Sequence, residues 1–242
     1  MPTLPNNAKD VVLVHSSDLH IDDGSRVASY TGLIGLASVL ATARSVNANA
    51  VLLAGDTFDN HRVSDSVLRQ ATALIAAANM RVILLPGNHD PAMEKCLFRR
   101  AGLVGLSNVN VLGVTDPSVV TLADDMVEIR GRAHHSYEDM MPFHAPRSRR
   151  TRWLIVMAHG HYLPASEWKR EAHRAWKFGD VDIVATGADY VALGHWDRAA
   201  SVGDGRVPAY YSGSPDVAGT ANMIRLSFDC GVLVDRIALI RG

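Results

Sequence analysis

Five short apolar runs in this chain are each followed at once by residues able to hold a metal ion. Val11–His15 leads into Ser16-Ser17-Asp18-Leu19-His20, and Ala50–Ala54 into Gly55-Asp56-Thr57-Phe58-Asp59. Arg81–Leu85 leads into Pro86-Gly87-Asn88-His89-Asp90. Trp153–Ala158 runs into His159-Gly160-His161, and Tyr190–Leu193 into Gly194-His195-Trp196-Asp197. Carboxylate, imidazole and amide oxygen together form the donor set of a divalent ion with mixed oxygen and nitrogen coordination, such as Mn2+, Fe2+ or Zn2+. About seven such donors are too many for one ion and suit two. Each run alone has an ordinary explanation: an exposed Asp-x-His loop, a Gly-Asp turn, a histidine at the edge of a core. Five in series, each at the end of an apolar run, are hard to explain that way.

Two ions about 3.5–4 Å apart can hold a hydroxide between them and clamp phosphoryl oxygens for in-line attack. Such chemistry needs no protein nucleophile, and none is evident in the sequence. An imidazole that titrates near neutrality suits protonation of a leaving oxygen.

The elements that must position these residues follow from the same runs. Near-continuous hydrophobicity over about five residues suits strands buried on both faces. Arg26–Val46 and Ser64–Met80 read as helices between the first three, with Ser64 a fitting N-cap. The β-loop-α-β-loop-α-β order predicts right-handed crossovers and a doubly wound sheet. The second half is richer in strands: Val109–Val114, Val119–Leu122, Met126–Arg130, Ala209–Ser212, and a closing pair, Met223–Phe228 and Val232–Ile240. Asp229-Cys230-Gly231 is a credible turn within that pair. Ser166–Phe178 reads as a helix, and Gly179–Ala188 has no clear assignment. The whole predicts an α/β sandwich: two packed mixed β-sheets flanked by helices, in one domain over 1–242.

Composition narrows the function classes. The chain has 242 residues, 48% hydrophobic and 20% charged, which excludes a disordered or fibrous protein. Its longest uncharged stretch, Val27–Ala43, falls short of a membrane span and carries several polar residues. Its first ten residues lack a signal-peptide pattern, and Cys96 and Cys230 cannot make a disulfide framework. A cytoplasmic enzyme without membrane association is the expectation. A formal net charge of −1 argues against a protein built mainly to coat nucleic acid.

The order Asp-x-His, Gly-Asp, Gly-Asn-His-Asp, a lone His and then Gly-His resembles the calcineurin-like metallophosphoesterases, over essentially Asp18 to Asp197. The phrases HSSDLHID, LLAGDTFD, LLPGNHD, DYVALGH and YYSGSP are most similar to the family's DNA-repair exonuclease branch, the nuclease subunits of double-strand-break repair complexes. The resemblance implies two divalent metal ions, Mn2+ first among the candidates, with Asp18 and His20 on one, Asp56 bridging, and Asn88, His159 and His195 on the other. His89 would face the phosphate rather than ligate, with Asp90 orienting it; a helix N-cap ahead of Pro91 is the plainer reading of Asp90 and is compatible with that role. The family's last ligand is a His two residues after His195. Here that position is Asp197, which is expected to ligate through a carboxylate oxygen while Trp196 points away and packs.

Arg62 could touch a phosphate or be a plain surface residue, and His161 could contact substrate or sit in an exposed loop. His134 and His135 are not expected to face the site. Arg147–Lys177 carries eight Lys/Arg against Glu167 and Glu171, interleaved with three tryptophans, so it is either a nucleic-acid surface or a solvated helix face over core rings. The leading function is a two-metal phosphodiesterase that could act on nucleic acid or nucleotides. A phosphomonoesterase of the same fold and a non-catalytic scaffold are the alternatives. The branch also implies a capping region and a partner ATPase. The sequence leaves no evident room for either, so the expectation is a stand-alone enzyme on short or small phosphodiesters in preference to long duplex DNA, or a subunit that relies on a partner for DNA.

Overall fold

The computed structural model of the protein describes residues 10–24, 32–116, 119–168 and 175–240. Its first half runs β1 (Val11–Ser16), α1 (Gly32–Ser45), β2 (Ala50–Ala54), α2 (Asp65–Ala76), β3 (Arg81–Leu85), α3 (Leu97–Arg100) and β4 (Val109–Val111). Then come β5 (Val119–Leu122), β6 (Val127–Gly131), β7 (Trp153–His159), β8 (His161–Tyr162), β9 (Lys177–Phe178) and α4 (Asp180–Ala185). The last third holds β10 (Tyr190–Gly194), β11 (Ala200–Val202), β12 (Ala209–Tyr211), α5 (Pro215–Ala218), β13 (Thr220–Ser227) and β14 (Gly231–Ala238).

Two six-stranded mixed sheets form the body, in the orders β14-β13-β1-β2-β3-β4 and β11-β12-β10-β7-β6-β5. The strands that lead into the candidate ligands are parallel within each sheet: β1, β2 and β3 in one, β7 and β10 in the other. All five therefore open at the same kind of edge, their C-terminal ends, where α/β sheets bring loops together.

Period-two alternation decides what each face meets. Val14, Val51, Leu53, Val82 and Leu84 pack with Leu36, Val39 and Leu40 of α1 and Leu68 and Ile75 of α2. Their neighbours Leu13, Leu52, Ile83 and Leu85 pack instead with Ile129, Ile155, Met157 and Ala192 of the second sheet. The outer face of the second sheet buries Leu154, Val156, Val191 and Leu193 under Phe178 and Ile183. Each of the Val, Leu, Ile, Met and Phe side chains contributes about 1.5–3 kcal/mol when fully buried. A one-residue register slip would exchange the two sets, so the register is strongly specified.

The two-sheet sandwich agrees with the sequence reading, but the first sheet is not doubly wound. Its helices α1 and α2 share one face, and the second sheet covers the other. The α1 helix is described from Gly32 onward, so the expected start at Arg26 lies outside the described residues. Ser64 does cap α2, its hydroxyl accepting the Val67 amide. The helix expected over Ser166–Phe178 is corrected at both ends. Ser166–Trp168 form a turn held by Trp168 Nε1 donating to the Leu163 carbonyl at 3.1 Å. Lys177–Phe178 pairs with β8, which buries Phe178; residues 169–174 lie outside the described set. Helix α4 occupies the stretch the sequence left unassigned, where the Asp182 carboxylate accepts the Gly179 amide at 2.8 Å. The turn before Gly231 joins β13 to β14 as an antiparallel pair.

Candidate metal centre

The loops leaving β1 and β2 zip together: the amides of Asp18, His20 and Ile21 donate to the carbonyls of Gly55, Asp56 and Thr57 at 3.0–3.1 Å. Asp18, His20 and Asp56 all take the left-handed backbone, with φ of 54°, 46° and 51°. That conformation costs roughly 1–2 kcal/mol in a non-glycine residue, and surrounding bonds must hold it. Glycine makes the close approach feasible. A Cβ on Gly55 would lie 1.9 Å from His159 Nδ1, and one on Gly87 would lie 2.1 Å from Asp56 Oδ1.

His159 is fully buried, and its Nδ1 lies 2.9 Å from the Ala54 carbonyl, an acceptor that requires a proton on that nitrogen. Its Nε2 then faces Asp56 Oδ2 at 3.1 Å and Asn88 Oδ1 at 3.1 Å. His195 Nδ1 approaches the same amide oxygen at 3.2 Å. Carboxylate, amide oxygen and two imidazoles thus converge with lone pairs inward, an arrangement that takes a proton or a cation at its centre. The donor set fits a divalent ion of mixed oxygen and nitrogen preference. Without one, burial opposes charge on His159, but Asp56, Asp18 and the Ala54 carbonyl together outweigh it and raise the imidazole to about 9. Burial would raise Asp56, yet His159 holds it well below the usual carboxylate range. Burial, then the neighbouring His159, pushes His195 down to about 3.

A second cluster shares Asp56. His20, Asp56 and His89 offer ligand atoms within 4.8 Å of one another, as do Asp56, His159 and His195. Asp56 is therefore the carboxylate common to both groups. The His20 and His89 rings meet edge-on with centroids 4.8 Å apart, and Asp59 contacts both. Its carboxylate lies 3.2 Å from His20 Nδ1, and its main-chain carbonyl lies 2.7 Å from His89 Nδ1. Both Nδ1 atoms are thereby turned to Asp59, which leaves each Nε2 for other work. Asp59 stands in the run after β2 but carries no signal there that sets it apart from a turn residue.

Asp90 does not orient His89 in this structure. Its buried carboxylate accepts the amides of Phe58 at 3.0 Å and Gly87 at 2.8 Å, tying the β3 loop to the β2 loop. Burial and then Asp56 raise its pKa to about 7. It caps no helix either, since the next one begins only at Leu97. Asp18 is buried with its two oxygens on the His195 amide, at 3.1 and 3.0 Å. Neither Asp18 nor Asp197 falls in the two clusters, but both line one cleft with His20 and Asp59. Asp197 is exposed and makes no ion pair with Arg198 among the described residues. Trp196 packs flat on Tyr211, with centroids 4.3 Å apart, as expected of a residue pointing away.

Arg62 is exposed in a cleft beside His89. His161 accepts Trp196 Nε1 at 3.2 Å and packs against His195. His135 is exposed, whereas His134 is buried beneath the site and bonds the His159 carbonyl through Nε2 at 2.8 Å. Trp176, also unforeseen, sets its ring against His134 and His195. Over the described part of the basic segment, Arg149 pairs with Asp189, and Arg152 lies over the Trp153 and Phe228 rings. Among the described residues no helix is long and apolar enough to cross a membrane.

Two mixed sheets whose strand ends converge on a carboxylate shared by imidazoles define a metal-dependent phosphoesterase class of fold and site. The chain belongs to the calcineurin-like phosphoesterases, whose family model matches residues 11–198. Over 90% of its length it is 24% identical to a subunit of the nuclease SbcCD of Escherichia coli K12, and it spans 62% of that subunit. Over 48% of its length it is 23% identical to a probable cyclic nucleotide phosphodiesterase of Vesicomyosocius okutanii, of which it spans 53%. The chain thus covers less than two thirds of these curated relatives. Among solved structures, TT1561 of Thermus thermophilus superposes with a TM-score of 0.59 at 12% identity, covering 94% of this chain and 99% of that one. A putative 5'-nucleotidase of Staphylococcus aureus gives 0.58 at 12% identity, covering 96% and 54%. At such identities these structures show the fold alone.

Proposed function

We propose that this chain is a two-metal phosphodiesterase carried by a single domain, working in the cytoplasm on nucleotide or short nucleic-acid esters. Asp56, common to both clusters, is the observation that supports this reading. Asp18, His20 and Asp197 would hold one ion with it, and Asn88, His159 and His195 the other, Mn2+ being the preferred occupant for its tolerance of mixed ligands. When bound, the pair supplies the positive charge that acidifies water and neutralises phosphoryl oxygens.

The chain's own residues do the rest. His159 keeps Nδ1 on the Ala54 carbonyl, which aims Nε2 into the site. His89, held by Asp59, presents Nε2 to the substrate and as imidazolium donates its proton to the departing oxygen. Asp90 contributes by locking the loop that carries Asn88 and His89. Arg62 and His161 are the substrate contacts at its margin. A partner ATPase would belong to the nuclease-subunit version of this reading.

Hydrolysis of bis-p-nitrophenyl phosphate tests the proposal. Activity should vanish in EDTA and return with Mn2+. Hydrolysis of p-nitrophenyl phosphate without the diester would make the protein a monoesterase. Full metal loading with neither activity would make it a scaffold.

A further inference from the structure

Tyr137 is 57% exposed, an unusual state for a large ring, and it lines the cleft that opens beside His89. The His61 ring meets it edge-on at 88°, centroids 5.9 Å apart, so the Tyr137 ring is braced from within the cleft wall. Its loop is pinned as well. The Glu138 carbonyl accepts Trp176 Nε1 at 2.9 Å and the Asp139 carboxylate accepts the Trp176 amide, while Trp176 packs on His195. A braced tyrosine offers contact area with little entropy left to lose.

The charges of the cleft select among aromatic ligands. Asp22 and Asp23 line it, each with its carboxylate turned to a backbone amide, and among the described residues Arg62 is the guanidinium that faces them. That balance repels a polyphosphate arm. Its polar lining equally disfavours an acyl chain. A heteroaromatic base suits it, with a π face for Tyr137 and a polar edge for the lining groups.

We infer that Tyr137, braced by His61, is a stacking platform for a nucleobase, so that the ester arm on the His89 side of the phosphate is a nucleoside. This rests on the phosphodiesterase reading above and specifies its substrate class. Tyr137 acts there as a specificity residue, with no part in the bond-breaking step.

Binding of adenosine 5'-monophosphate and ribose 5-phosphate to the Mn2+-loaded protein, by equilibrium dialysis, isolates the base. The wild type should prefer the nucleotide about tenfold, within the range that base–aromatic stacking provides. Tyr137→Ala should bring the two ligands to equal affinity, with metal content and ribose 5-phosphate binding unchanged, and Tyr137→Phe should keep the preference. Equal affinities in the wild type, or a Tyr137→Phe protein that behaves like Tyr137→Ala, overturn the inference. Failure of bis-p-nitrophenyl phosphate hydrolysis would instead strike the phosphodiesterase reading, because the binding ratio needs no turnover.

Discussion

The main-chain carbonyl of Asp59 lies 2.7 Å from His89 Nδ1, while the carboxylate of the same residue lies 3.2 Å from His20 Nδ1. One residue therefore holds two imidazoles, His20 by its carboxylate and His89 chiefly by its carbonyl, the carboxylate oxygen lying a longer 3.8 Å from His89 Nδ1; only the carboxylate can be removed by mutation. Asp59→Ala should weaken one ion about 10–100-fold, the usual cost of losing a partner behind a ligand. At saturating Mn2+ its kcat should stay within a few-fold of wild type, because His89 keeps its carbonyl. Mn2+ titrations of activity separate these effects; a kcat that collapses at saturation would assign the carboxylate to His89 instead.

His89→Asn should lower kcat by on the order of 10²–10⁴, the range for loss of an acid–base group. Elemental analysis should still find both ions. Asp56→Asn should disturb both, since Asp56 is common to the two clusters. If His89→Asn loses an ion, His89 is a ligand, as its distance to the His20 and Asp56 ligand atoms allows.

Asp197 shares a cleft with Asp18 and His20 and has no ion pair with Arg198 among the described residues. Asp197→Ala should reduce occupancy of one ion only, and Asp197→His should restore it with a shift toward Zn2+, since imidazole is the softer donor. Unchanged metal content and Mn2+-dependent activity in Asp197→Ala would remove it from the ligand set.

His15 gives the metal-free protein a pH dependence. It is buried between the sheets with Nδ1 2.9 Å from the Tyr190 hydroxyl, and burial, only partly offset by a backbone bond at Leu193, lowers its pKa from 6.5 to about 3. Between those values the unfolded chain binds a proton that the folded chain refuses. Stability is thus present above about pH 6.5 and lost as pH falls toward 3. His15→Gln should make the fall of Tm with acidification in EDTA shallower over that window; an unchanged slope would show that His15 does not carry it.

Much of this protein is legible in its sequence because local rules and the global fold agree. The runs Ala50–Ala54, Arg81–Leu85 and Val119–Leu122 are strands to the residue, since a short apolar run between turn-forming residues has few other ways to bury itself. The candidate ligands are legible for a related reason: each stands directly after such a strand, so chain order alone assigns it to a sheet edge. What packs on either face of a strand is not written locally. Leu13 and Val14 look alike in sequence, yet one meets the second sheet and the other meets α1, a choice made by alternation and by the placing of strands more than a hundred residues away. The partner of an imidazole is likewise a tertiary matter. Asp90, adjacent to His89, turns to the amides of Phe58 and Gly87, while Asp59, thirty residues earlier, closes on the ring. Hydrogen bonds are decided by where directed donors and acceptors end up within about 3 Å, and only the packing of the β2 and β3 loops brings those atoms to that distance.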